Sequence, residues 1–258
     1  MRAESRDRFH VTNGAGWGEP GSPGSFLRKP NGRKNVGGEG AEASRQPRRI
    51  LKPSAPVQQS IVTLDMEGVL TPEIWIAVAE KTGIERLRLT TRDIPDYDVL
   101  MKGRLGILAE HGLRLSDIQA VIGSLQPLEG AVDFLRTLRA ETQVIILSDT
   151  FEQFAQPLLR QLEWPTLLCH RLVVENDRVV DYQLRIREQK QKAVAALRSM
   201  NYHVVAAGDS FNDTAMLREA NAGIFFRAPV SIQGQFPQFP AVEEYADLLR
   251  LIRTAQLA

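Results

Sequence analysis

The sequence has a single cysteine, Cys169, in 258 residues, so no disulfide can close within the chain. That fits a reducing compartment, and a cytoplasmic location is expected. No apolar run approaches the roughly 18 residues a bilayer span needs, so no membrane partner is expected. An excess of one charge is also missing, since the formal net charge is +1. That sum conceals two unlike regions. Residues 1–57 hold 11 Lys/Arg against 5 Asp/Glu, and the remainder holds 21 against 26. A mildly acidic body argues against nucleic acid as a partner.

The first 57 residues also lack any period of 2 or 3.6, and 15 of them are glycine or proline. Such a stretch cannot bury enough apolar surface to offset its ordering entropy, so disorder is expected over 1–57. It has no apolar core of a secretory signal, and Glu4, Asp7 and Glu19 interrupt any transit-peptide pattern. Two other readings stay open there: a basic arm touching nucleic acid, and a translation start nearer Leu51 or Val57.

What is present begins at Ile61-Val62-Thr63-Leu64, a β-branched run leading into Asp65-Met66-Glu67-Gly68. This pattern predicts a buried parallel strand that delivers two carboxylates at its carboxyl end. Thr71-Pro72-Glu73 predicts a helix start, with threonine as N-cap, and Gly83 predicts its end. Residues 84–126 carry helical patterning broken at Pro95 and Gly112, with no convincing strand. Beyond them, Ala131–Ala140 reads as a helix and Val144–Leu147 as a strand ending in Ser148-Asp149-Thr150. A helix kinked or broken at Pro157 follows. Thr166–His170 is a third strand, and residues 172–180 form a hairpin-like excursion. A helix over 190–200, a strand Val204–Ala207, a helix to Ala220 and a strand Gly223–Phe226 complete the alternation. Strands separated by helices predict an open, mostly parallel, Rossmann-like α/β sheet. Ligands of such sheets bind beyond the carboxyl ends of the strands, where the acidic tips fall.

Each candidate residue has a plain structural reading beside the functional one. Glu67 alone is a solvated strand-end acid, Ser148 an ordinary N-cap and Glu73 a first-turn helix acid. Arg104 is a solvated partner of Glu110 or Asp98, and Lys190 a surface lysine. His111, His170 and His203 lie far from the acidic tips in sequence and show no zinc spacing. Cys169, Trp75 and Phe225-Phe226 read as core.

The ordered set Asp65/Glu67, Ser148, a lysine near 190 and Gly208-Asp209…Asp213 resembles the four motifs of the haloacid dehalogenase-like phosphatases. Within them it is most similar to phosphoserine phosphatases, and to the bifunctional phosphoserine phosphatase/homoserine phosphotransferase group. The resemblance spans residue 60 to about residue 245, including Phe236–Pro240, and leaves out 1–57. It implies a core of residues 58–75 and 127–258 and a small helical cap, 76–126, inserted after the first strand. It further implies a Mg²⁺-dependent phosphatase acting on O-phospho-L-serine, with phosphoryl transfer to L-homoserine as a second activity. Asp65 would be the nucleophile and Glu67 the general acid and base, where most of the wider family has aspartate. Lys190 would neutralise the phosphate, with Lys192 close in sequence as its rival. Asp65, the Glu67 carbonyl and Asp209 would hold the metal, and Asp213 its water shell. Glu73 and Arg104 would take the ammonium and carboxylate of the substrate, with Ser148, Asp149 and Asn212 as further contacts. The partners implied are small molecules and a second copy of the chain in a homodimer. A phosphatase for another small phosphomonoester, or a non-catalytic binding protein of this fold, are the alternatives.

Overall fold

The computed structural model describes residues 58–257 except Arg92 and Pro95; the expectation for residues 1–57 lies outside them. Among the described residues seven strands form one sheet. β1 is Gln59–Leu64, β2 Gln143–Phe151, β3 Thr166–Glu175, β4 Arg178–Gln183, β5 Tyr202–Gly208, β6 Ala222–Phe226 and β7 Ala241–Val242. Their order is β4-β3-β2-β1-β5-β6-β7. Every neighbouring pair is parallel except β3 with β4. This is the open α/β sheet expected. β1 sits between β2 and β5, so the strand order reverses at its carboxyl end and a crevice opens there.

Side chains of the central strands alternate between two apolar layers. Val62, Leu64, Val205 and Ala207 face one; Ile61, Val204 and Ala206 face the other. The first layer is closed by α4 (Ala131–Glu141), α5 (Glu152–Gln161) and α9 (Tyr245–Gln256). It also takes in residues of α1 (Ile74–Thr82), α2 (Tyr97–Glu110) and α3 (Leu115–Gly123), the helices between β1 and β2. The second is closed by α6 (Gln189–Ser199), α7 (Thr214–Glu219) and α8 (Val230–Gln235). Each fully buried aliphatic side chain contributes roughly 1.5–3 kcal/mol to this packing. Among the described residues no helix is long and apolar enough to cross a membrane.

Several local expectations are corrected. α1 begins at Ile74, not at Pro72, because Thr71 bridges back to Glu67 and the Glu67 carboxylate accepts from the Ile74 N–H. β2 runs on through Ser148-Asp149-Thr150, so Ser148 lies in a strand and Phe151, not Ser148, precedes the helix. Pairing of β2 with β3 shifts register between Leu147 and Phe151. β3 is one strand as far as Glu175, and the excursion is simply its antiparallel hairpin with β4.

Pro157 neither ends nor interrupts α5 as a helical element. Its ring nitrogen has no hydrogen for the Gln153 carbonyl. The Gln119 side-chain amide of α3 donates to that carbonyl instead, at 2.7 Å. The C-terminal α8, β7 and α9 were not anticipated. α9 is strongly amphipathic, and its buried Leu248 and Ile252 stand four residues apart.

Candidate active site

A cleft of about 170 Å³ lies beyond the carboxyl ends of β1, β2 and β5. Parallel pairing carries Asp65 there, since its N–H continues the β1–β5 ladder by donating to the Ala207 carbonyl at 3.0 Å. The chain then turns at Gly68, whose φ is +77°. A Cβ at Gly68 would stand 2.4 Å from the Asp209 carboxylate, so only glycine lets the two acidic loops meet.

The cluster is built around one buried cation. Lys190 Nζ lies 2.9 Å from Asp65 Oδ1 and 2.8 Å from Asp213 Oδ1. Asp149 Oδ2 is further off, at 3.9 Å. Lys192, by contrast, is half exposed and pairs with Glu188. Asp213 Oδ2 accepts from the Asp209 N–H, the Ser210 N–H and the Ser210 hydroxyl at 3.0–3.1 Å. Asp213 therefore fixes both the lysine and the loop that carries Asp209.

Buried charges cost several kcal/mol each unless well paired, and here acids outnumber the base. Burial, then Asp213, pushes the Asp65 carboxyl well above its usual range. Burial, then Asp213 and Glu73, pushes Asp209 up to about 7. Burial opposes the charge on Lys190, but Asp213, Asp65 and Asp149 overcome it and hold its pKa well above normal. Oxygens of Asp65, Asp209 and Asp213 all lie within 4.8 Å of one another. A crowded, all-oxygen set with surplus negative charge suits a hard divalent cation such as Mg²⁺.

Glu67 stands apart from this cluster. Its Oε2 accepts from the Ile74 N–H at 2.9 Å, at the N-terminus of α1. Burial, then Glu73, lifts it to about 7 against the pull of Arg104 and Lys190. It can therefore hold or release a proton near neutrality.

The opposite wall comes from the helices between β1 and β2. Arg104 is buried, not paired with Glu110 or Asp98. Its Nη2 donates to the Leu89 carbonyl at 2.7 Å, and its guanidinium lies 4.6 Å from the centre of the Trp75 ring. Its Nε finds no partner among the described residues. Burial lowers its pKa to about 10, so it stays charged at neutral pH. Glu73 is exposed at the cleft edge, and Asn212 there donates to Thr91 Oγ1 at 3.3 Å. Every predicted site residue except Asp213 lines the cleft, and Asp213 supports it from behind through Lys190.

Three further residues escaped the sequence reading. Tyr97 lines the cleft and donates its hydroxyl to the Asp149 carbonyl. His170, far from the acidic tips in sequence, is buried with Nε2 3.6 Å from Asp149. Gln189 contacts Ser148 and Asp149. Its place next to Lys190 was the one available signal. Nothing in the spacing foretold His170, because the β2 register shift brings it there. Trp75 is core, as expected, but also lines the cleft.

The haloacid dehalogenase-like hydrolase family, a family of hydrolases, matches residues 60–221. The chain is 65% identical over 200 residues to a phosphoserine phosphatase of Pseudomonas syringae pv. tomato, covering 77% of this chain and 84% of that protein. It is 64% identical over 191 residues to phosphoserine phosphatase ThrH of Pseudomonas aeruginosa, covering 74% and 93%. Among solved structures, a phospho-aspartyl intermediate analogue of phosphoserine phosphatase superposes with a TM-score of 0.63 at 16% identity, over 76% of this chain and 99% of that one. That last likeness is one of fold. The chain belongs to the haloacid dehalogenase-like hydrolases.

Proposed function

We propose that this haloacid dehalogenase-like hydrolase is a Mg²⁺-dependent phosphatase of O-phospho-L-serine, working through a phosphorylated Asp65. The observation that carries the reading is the pairing of two walls: Asp65 held against Lys190 on one side, and a buried arginine whose Nε has no partner among the described residues on the other. The first suits a phosphate, the second a planar carboxylate. The high identity to proteins named phosphoserine phosphatase supports it.

Asp65 Oδ attacks phosphorus, and the bond to the serine oxygen breaks. Glu67, protonated near neutrality, gives its proton to that leaving oxygen. Glu67 then takes a proton from water, whose oxygen attacks phosphorus and releases phosphate and free Asp65. Lys190 balances the charge of the phosphoryl oxygens. Asp65, Asp209 and the Glu67 carbonyl would hold the Mg²⁺, with Asp213 behind them. Bound there, the ion supplies charge screening between carboxylate and phosphate. Arg104 would take the substrate carboxylate and Glu73 its ammonium, with Ser148, Asp149 and Asn212 as further contacts.

The same phospho-enzyme could pass its phosphoryl group to the L-homoserine hydroxyl, with Glu67 as base, giving a second, transferase activity. In this reading residues 76–126 cap a core of 58–75 and 127–258, the partners are small molecules and a second copy of the chain, and the setting is cytoplasmic serine and threonine biosynthesis. Incubation with Mg²⁺ and phosphoserine, with and without homoserine, tests both parts. Phosphate should appear in each case, and phosphohomoserine when homoserine is present. Phosphate alone removes the transferase; neither product removes phosphoserine as substrate.

A further inference from the structure

The segment Ser148-Asp149 sits where β2 loses register with β3, so its carbonyls need partners from elsewhere. Ser148's carbonyl accepts from Gln189 Nε2, and Asp149's from the Tyr97 hydroxyl. The Asp149 carboxylate is held by one oxygen. Oδ1 accepts from Gln189 Nε2 at 3.1 Å and lies 3.6 Å from His170 Nε2, while Oδ2 is turned toward Lys190.

Arg185 sets the orientation of both holders. Its backbone N–H donates to His170 Nδ1 at 3.2 Å, which leaves the imidazole hydrogen on Nε2, facing Asp149. Its guanidinium donates to Gln189 Oε1 at 3.2 Å, which turns the Gln189 amide N–H groups toward Ser148 and Asp149. His170 and Gln189 are 4% and 2% exposed, so neither has water to satisfy it instead. Glu188, in the left-handed region at φ +54°, makes the turn that delivers Gln189 and Lys190 together.

We propose that Gln189 and His170, oriented by Arg185, are positioning residues that fix Ser148 and hold the Asp149 carboxylate 3.9 Å short of Lys190 at the phosphate end of the cleft. The proposal rests on the phosphatase reading and adds a function for three residues that the reading does not use. Free to swing, the Asp149 carboxylate would compete with the incoming phosphate for Lys190. Loss of the hold should therefore weaken binding more than turnover.

The test is a steady-state series with phosphoserine in the presence of Mg²⁺. Gln189→Glu keeps shape but removes both N–H donors and sets a carboxylate against Asp149. It should raise KM about tenfold with kcat within about threefold. In an Asp149→Asn background the same change should cost less, because the carboxylate–carboxylate repulsion is gone and only the Ser148 carbonyl is left without its donor. His170→Asn, which keeps an acceptor for Arg185 but loses the Nε2 donor, should raise KM similarly. His170→Gln, whose amide reaches Asp149, should recover most of the loss. Equal cost of Gln189→Glu with and without Asp149→Asn, or equal loss in the two His170 variants, would overturn the proposal. If the unaltered protein does not turn over phosphoserine, the substrate reading alone fails. The same series with p-nitrophenyl phosphate then decides the network, since that ester uses the same phosphate end.

Discussion

The two walls of the cleft differ in how completely they are satisfied without a ligand. On the sheet side, Lys190 is bracketed by Asp65 and Asp213, and Asp213 in turn fills its second oxygen with three donors. On the helical side, Arg104 has one carbonyl, a sulfur contact and a ring face, and its Nε has no partner among the described residues. The sheet wall is densely bonded and overcharged; the helical wall is less fully paired. In the proposed reading, chemistry common to many phosphomonoesters falls on the first wall, and discrimination among them on the second.

Breaking the sheet wall should have the largest effects. Asp65→Asn should lower kcat on the order of 10⁴-fold or more while the protein stays folded; single-turnover kinetics with circular dichroism on the same sample check both. Lys190→Met leaves two buried carboxylates without a cation and should cost about 3–5 kcal/mol of stability, read by urea unfolding.

The helical wall should answer differently. Arg104→Lys removes the planar fork and should raise KM for phosphoserine about 10–100-fold, while leaving p-nitrophenyl phosphate, which has no carboxylate, nearly unchanged. A parallel loss on both esters would place Arg104 in the phosphate site and erase the distinction between the walls.

The surplus charge of the sheet wall gives a pH signature. A carboxyl whose pKa is raised on folding binds its proton more tightly in the folded state, so stability falls as pH rises from the ordinary value to the folded one. For Asp209 that window runs from 3.8 to about 7. Without metal, Tm should therefore fall between pH 5 and pH 8, and Mg²⁺ should restore it at pH 8. A Tm that is flat in EDTA would remove the overcharged account. The smallest effect is expected at the seam between walls: Gln119→Leu strands the Gln153 carbonyl beside Pro157 and should cost about 1–3 kcal/mol without altering kcat.

The sheet wall was the legible part. Asp65, Glu67 and Asp209 follow β-branched or small-residue runs whose period announces a buried strand, and open sheets bind at those ends. The expected strands are all present, with their boundaries extended. Less was legible where side chains replaced backbone. Thr71-Pro72-Glu73 has the composition of a helix start, yet Glu67 supplies the cap from seven residues away. The strand through Ser148 looked finished at Leu147 because its next carbonyls are taken by Gln189 and Tyr97, 41 and 52 residues distant. Pro157 looked like a break because the rescuing amide sits on another helix. Local patterns cannot carry such long-range substitutions. α9 is a plainer miss, since its amphipathic spacing was there to be read.

The most direct measurement is phosphate release from O-phospho-L-serine by the unaltered protein and by Asp65→Asn, each with Mg²⁺ and with EDTA. Release by the unaltered protein with Mg²⁺, and in none of the other three samples, is the predicted result. Hydrolysis of p-nitrophenyl phosphate but not of phosphoserine, or turnover that survives Asp65→Asn, would contradict it.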